Sequence, residues 1–301
     1  MRVEEAIGRF HYVADVVGSE WMQTHKNWFE GKTNPPPIWY AHLDWDLSLL
    51  AKKVPVSQLI GAYRHMLRDH VGLLDAVYEI HAAAFLADIG DNVALHVRRA
   101  TDDSRNFDVQ VSICGHRVNA DCKTRRDRFP FNMPRTELGF EGSRATLDPH
   151  DFEIVAGRAE NRPWDPTHIS TPESTVVQQI LLSALQQLPS DGSNLVLFGQ
   201  VDGSREHLER ALHGVPVLDI VRDHHNKTHT TEWRVTGTAA FRGDGAALFS
   251  GISAVLWFRI MQTGDDVLRH AYSIYVNPNA TVPLHEDVRK ALDAAIAQLT
   301  V

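Results

Sequence analysis

A chain of 301 residues, 43% of them hydrophobic, can bury a substantial core in one or two domains. Its formal net charge of -8 gives no whole-protein attraction to a nucleic-acid backbone, so phosphate binding would need a local basic patch. Two cysteines exclude a disulfide framework, no apolar run nears the ~18 residues of a membrane span, and MRVEEAIGRF carries acids where a signal peptide is apolar; the expected location is cytoplasmic.

Residues 1–70 read as a helical N-terminal region. Ile7, Phe10, Val13, Val17, Trp21 and Trp28 recur at mostly three- and four-residue spacing, which predicts one helix over 4–29. GKTNPPP at 31–37 breaks it, because three prolines cannot continue a helix. Two more helices are expected, over 38–52 and from 56 to about 70. Trp21, Trp28, Trp39 and Trp45 read as the core of this region or its seam with the rest, rather than as a base-stacking surface. The region is also the candidate surface for a homodimer or a protein partner.

A strong helix is predicted over 71–89, with Leu74, Val77, Ala84 and Phe85 on its apolar surface, Glu79 in its middle and Gly90 as its C-cap. A strand follows over 92–100, with Val93, Leu95 and Val97 on one side, and then a polar connector, TDDSRN, at 101–106. The stretch NFDVQVSICGHRVNADCKTRR (106–126) has period two on both arms, the mark of a hairpin with one buried face. Gly115-His116 suits a type II′ two-residue turn. That turn sets Cys114 opposite Arg117, Gln110 opposite Asp121 and Asp108 opposite Lys123. Asp108, Asp121 and Lys123 then share one face, while Val109, Val111, Ile113, Val118, Ala120 and Cys122 take the other. A one-residue slip would scatter them.

TRRDR follows Lys123, and 129–170 reads as an irregular excursion rich in proline. Ser170-Thr171-Pro172-Glu173 carries the residues of a capping box ahead of a helix that runs to Pro189. NLVLFGQV (194–201) reads as a buried strand and 205–214 as a short amphipathic helix. Strands are expected near 232–241, 252–261 and 270–277, and a helix over 285–299. This mixture from 71 onward predicts an α/β fold with a mixed sheet. Asp223-His224-His225, with His229, reads as a polar loop; a Zn²⁺ site there would lack further ligands at fitting spacing.

Two carboxylates on adjacent strands, with a third from a packed helix, make an all-oxygen site of the kind Mg²⁺ or Mn²⁺ prefers. A nearby lysine can stabilise charge on a phosphate. The competing reading of the hairpin alone is a cross-strand ion pair between Asp108 and Lys123. Glu79 on a helix, Asp108 on a strand and Asp121-Cys122-Lys123 on the next resemble, in order and spacing, the PD-(D/E)xK nuclease superfamily. Asn106-Phe107 stands where a proline often precedes the first acid, and Asp121 replaces the commoner Glu.

The resemblance implies a restriction-endonuclease-like mixed β-sheet core flanked by helices, over 71–301, and metal-dependent hydrolysis of phosphodiesters, with DNA as the expected substrate. By position it makes Asp108, Asp121 and the Cys122 backbone carbonyl metal ligands, Glu79 a ligand or water-positioning acid, and Lys123 the catalytic lysine. Arg98, Arg99, Arg125, Arg126 and Arg128 are the candidate phosphate contacts. The alternative is a nuclease-like fold without chemistry that binds nucleic acid or protein.

Overall fold

The computed structural model describes residues 2–25, 37–69, 73–99, 102–125, 172–200, 205–222, 228–236, 239–243, 245–264 and 267–299. Contacts divide the chain into two units, one of residues 1–132, 184–202 and 251–301, the other of 133–183 and 203–250.

The first unit begins with three short helices, α1 (Val3–Arg9), α2 (His11–Val17) and α3 (Ser19–Thr24), where one long helix was expected. The breaks are Phe10, with ψ of 78°, and Gly18, whose φ of 97° no helical residue adopts. The apolar spacing nevertheless marks the inner side, because Phe10, Val13 and Val17 are all buried. Side chains from elsewhere cap α2. The Val13 N–H donates to Asp44 Oδ1 at 3.0 Å, while Arg64 and Arg68 donate to the Val16 and Val17 carbonyls at 2.7 and 2.8 Å. Thus the orphan groups at both ends of a helix too short to stand alone are satisfied through tertiary structure.

Helices α4 (Pro37–Ala51) and α5 (Val56–Arg68) fall where they were expected. Trp39 is buried, but Trp45 is 64% exposed, so it does not belong to a tryptophan core; Trp28 lies outside the described residues. Helix α6 (Leu73–Ile89) is buried on nearly every side, as a helix apolar all round must be. Gly90 ends it, though not through a left-handed cap. A Cβ at Gly90 would strike Val111 Cγ2 and come within 2.9 Å of the Ser112 carbonyl oxygen, so glycine is required by close approach of the strand.

The sheet of this unit has six strands in the order β1 (Asp91–Arg99), β2 (Asp102–Ile113), β3 (His116–Arg125), β4 (Ser193–Gln200), β7 (Ala254–Gly264), β8 (Val267–Val276). The first three form an antiparallel meander, β3–β4 and β4–β7 are parallel, and β8 returns antiparallel. Strand β4 is buried along its whole length between parallel neighbours, which explains its unbroken apolar run. Strand β2 begins at Asp102, so most of the expected polar connector is strand. Helix α10 (Glu286–Leu299) ends the described chain.

The hairpin forms, with a corrected turn. Ile113 pairs with His116, and the two central residues are Cys114 and Gly115, with φ of 51° and 80°. Two positive φ values with glycine second are the signature of a type I′ turn, not II′. Moving the turn by one residue moves the register by two, so each side chain keeps its face. Gln110 therefore lies opposite Asn119, with a side-chain hydrogen bond of 2.9 Å, and not opposite Asp121; Asp108 is likewise not opposite Lys123. Val109, Val111, Ile113, Val118, Ala120 and Cys122 join the core cluster that contains α6. The polar face is covered too, since Asn119 and Asp121 are both fully buried.

Helix α7 (Pro172–Gln187) has residues in both units. The second unit contains α8 (Arg205–His213), an antiparallel pair of strands β5 (Val215–Arg222) and β6 (Thr228–Thr236), and the short α9 (Gly245–Leu248). Strand β5, which carries Pro216, was not anticipated, and β6 lies a few residues before the strand expected near 232–241. His229 is in β6; the Asp223-His224-His225 loop and the 129–170 excursion lie outside the described residues. Among the described residues no helix is long and apolar enough to cross a membrane.

A direct check of the corrected turn is Cys114→Asn. Asparagine tolerates the left-handed conformation and Asn-Gly is the favoured I′ pair, so the variant should be more stable by a few tenths to ~1 kcal/mol in urea unfolding. A loss of stability would mean that the positive φ belongs elsewhere.

Candidate active site

The site forms where the hairpin ladder ends. The last β2–β3 pair is Val109 with Ala120, and this register carries Asp108 to the position across from Asp121. On the other side of β2, the pairs Leu95–Val109 and Val97–Phe107 set His96 across from Asp108. Three neighbouring strands thus contribute His96, Asp108 and Asp121 in one row. On β4, Val196 lies beside Asp121 and Phe198 beside Lys123, so the next strand adds only apolar neighbours.

Each polar group is held by a named contact. The Cys122 backbone N–H donates to Asp108 Oδ2 at 2.6 Å. Lys123 Nζ forms an ion pair with Asp121 Oδ2 at 2.7 Å and donates a hydrogen bond to Gln187 Oε1. Asp121 Oδ1 receives no N–H or O–H from the described residues. Glu79, buried in the middle of α6, meets His96 Nε2 through Oε1 at 2.9 Å. His96 holds a left-handed backbone, φ 49°, uncommon for a residue with a Cβ and a form in which local strain is kept at a site.

The electrostatics follow from enclosing more negative than positive charge. Burial pushes the Asp108 carboxyl well above its usual range, and the charges of Glu79 and Asp121 add to the rise; the Cys122 N–H and Lys123 only partly oppose it. Asp121 is pushed up to about 6, chiefly by burial and further by Glu79, against the pull of Lys123. A protonated Asp108 can hydrogen-bond Asp121, so the two carboxyl groups are near enough to share one proton. Burial also raises the Tyr63 hydroxyl, with Glu79, Asp108 and Cys122 contributing. The Cys122 thiol rises for the same reasons, which makes it an inert side chain rather than a nucleophile.

Asp108, Asp121 and Lys123 are therefore brought together on one face as the alternation predicted, and the charge of Glu79 acts on both acids. The cross-strand ion pair between Asp108 and Lys123 does not form; Lys123 pairs instead with Asp121 of its own strand. The carboxylate oxygens of Glu79, Asp108 and Asp121 do not all lie within 4.8 Å of one another. The contact of Cys122 in the site is made through its N–H. Arg98, Arg99 and Arg125 stand at the ends of β1 and β3, with side chains outside the described set; Arg126 and Arg128 lie wholly outside it.

His96, Tyr63 and Gln187 were not singled out from sequence. His96 had one usable signal, a single imidazole in the alternating strand between Glu79 and Asp108. Tyr63 and Gln187 are distant in the chain and carried none. Chemically, a part-buried and a fully buried acid that both resist ionisation, the latter with an oxygen lacking a donor, fit a hard divalent cation, which would supply the missing positive charge.

This has a consequence for stability. The folded pKa of Asp121 lies above its unfolded value, so its contribution is present below about pH 4 and is lost as pH rises through about 6. In metal-free buffer, wild type should lose thermal stability across this window, and Asp121→Asn should flatten the loss and melt several degrees higher at pH 8. Parallel melting profiles for the two proteins would contradict the assignment.

No protein-family model matches this chain, and neither a curated protein nor a solved structure matches it.

Proposed function

We propose that this protein is a Mg²⁺- or Mn²⁺-dependent nuclease that hydrolyses phosphodiester bonds, with DNA as the substrate. The observation that carries the reading is the part-buried Asp108 beside the fully buried Asp121 and Lys123, with both carboxyl pKa values raised and α6 bringing the charge of Glu79 to bear on them. The order of elements supports it. Helix α6, the β1–β2–β3 meander, helix α7 and a β4 parallel to β3 follow the succession that the PD-(D/E)xK resemblance implies.

Asp108 and Asp121 would hold the ion, with the Cys122 carbonyl as a further oxygen. A bound ion of this class polarises a phosphoryl oxygen and lowers the pKa of a coordinated water. The chain's own residues do the rest. Lys123, steadied by Gln187, places an ammonium where negative charge develops on the phosphate. Glu79, anchored by His96, is the acid that orients the attacking water. Arg98, Arg99, Arg125, Arg126 and Arg128 are proposed to meet the flanking phosphates, a local basic patch within an acidic chain.

Two observations favour a second reading, a nuclease-like module that binds nucleic acid or protein without cutting. Lys123 already neutralises part of Asp121, and Glu79 does not close on the other two acids.

The discriminating assay is cleavage of plasmid and single-stranded DNA with Mg²⁺ or Mn²⁺. Wild type should cut, and Asp121→Ala and Lys123→Ala should each lose roughly 10²–10³-fold in rate, the scale for removing one preorganised charge-stabilising group. No cutting by wild type, or equal cutting by the variants, would sink the nuclease reading. DNA retention in a gel without Mn²⁺ uptake would point to the binding module.

A further inference from the structure

A second cluster of titratable groups lies apart from the carboxylate site and takes no part in the proposed hydrolysis. Helix α4 contributes His42 and Asp46, four residues apart on one face; α6 contributes His81; β8 contributes His270 and Tyr272, two residues apart. All belong to the first unit. The side chains of His42, Asp46 and His81 are each less than 10% exposed. They line a cavity of about 570 Å³, together with apolar walls that include Trp45 and Phe85. The exposed Trp45 that did not fit a tryptophan core is part of this wall.

Hydrogen-bond accounting assigns the protons. Asp46 Oδ2 lies 2.8 Å from His42 Nδ1 and 3.0 Å from His81 Nδ1. That oxygen accepts from the His81 Nδ1–H, which leaves a lone pair on His81 Nε2, and it pairs with His42 Nδ1 as an ion-pair partner. His81 Nε2 accepts from the Tyr272 hydroxyl at 2.6 Å. His42 Nε2 faces His270 Nε2 at 2.7 Å, so one proton is shared between the two rings. The rings of His81 and His270 stack with centroids 4.8 Å apart. One ring nitrogen from each of the three histidines lies within 4.8 Å of the others.

Three imidazoles from three elements converge, and a buried carboxylate lies beside a ring nitrogen of two of them. A carboxylate hydrogen-bonded behind metal-binding histidines fixes their rings in this way. A nitrogen-only set selects Zn²⁺ and its neighbours, Co²⁺ included, over the Mg²⁺ suited to the carboxylate site. We propose that His42, His81 and His270 form a three-histidine site for a transition-metal ion of the Zn²⁺ class. Asp46 is its positioning residue, and the remaining coordination position faces the cavity. On binding, the ion takes the three lone pairs, the proton between His42 and His270 leaves to solvent, and the Tyr272 hydroxyl gives up its bond to His81.

The test is titration of chelator-treated, full-length protein with Co²⁺, followed by visible absorption, with Zn²⁺ as competitor. Wild type should show the d–d bands of a tetrahedral Co²⁺ ion saturating at one equivalent, bleached by Zn²⁺. His270→Ala, on the partly exposed strand, should abolish the bands, and Asp46→Asn should weaken binding by about 10–100-fold. His270→Gln serves if the alanine variant does not fold. A second close group among the described residues, His116, His285 and Asp287, is the control, and His285→Ala should leave the bands unchanged. No bands in folded wild type, bands unaltered by His270 substitution, or bands lost in His285→Ala would each overturn the proposal. The Asp108 and Asp121 variants should keep the Co²⁺ bands whether or not the protein cuts DNA.

Discussion

The fully buried Asp121, with Asp108 beside it on the next strand and the charge of Glu79 close by, imposes the constraint on which the rest depends. A buried carboxylate is costly unless it is paired, and here Lys123 supplies the ammonium paired with Asp121 while the charges of Asp108 and Glu79 act on the same place. Part of the deficit is met by protonation, which is why both aspartate pKa values rise. Such an arrangement sets aside stability for the ability to take up positive charge, a balance found at functional sites more than in structural cores.

The surrounding fold keeps that arrangement in place. Helix α6 is enclosed on nearly all sides and packs on the apolar face of the meander, so the backbone bearing Glu79 cannot drift. Gly90 lets the chain turn from helix into β1 against Val111 without a side chain in the way. Parallel strands β4 and β7 bury the far side of β3, so Asp121 is enclosed by the sheet itself. Helix α6 also carries His81 two residues beyond Glu79. One rigid element thus carries a residue of each proposed site.

Much of this was legible in the sequence wherever period and local chemistry suffice. Alternation through residues 108–123 placed Asp108, Asp121 and Lys123 on one face. The conclusion survived a misplaced turn because a two-residue shift of register preserves parity. The turn itself was missed because Cys114 at φ 51° is an unusual choice where Asn is expected, while Gly-His offered a plausible II′ pair. The long N-terminal helix was overextended because apolar spacing continues through Phe10 and Gly18, and the breaks are enforced by capping from Asp44, Arg64 and Arg68 far along the chain. The His42–His81–His270 cluster had no local signature at all. Its members are brought together only by tertiary packing, and among 17 histidines no spacing singles them out.

The most direct measurement of the central claim is anomalous X-ray diffraction from crystals soaked in Mn²⁺ above pH 7, where Asp121 is ionised. The account predicts a strong peak bridging the Asp108 and Asp121 carboxylates, with Lys123 drawn away from Asp121 Oδ2. Clear density for both side chains with the Asp121–Lys123 pair intact and no anomalous peak between them would contradict it.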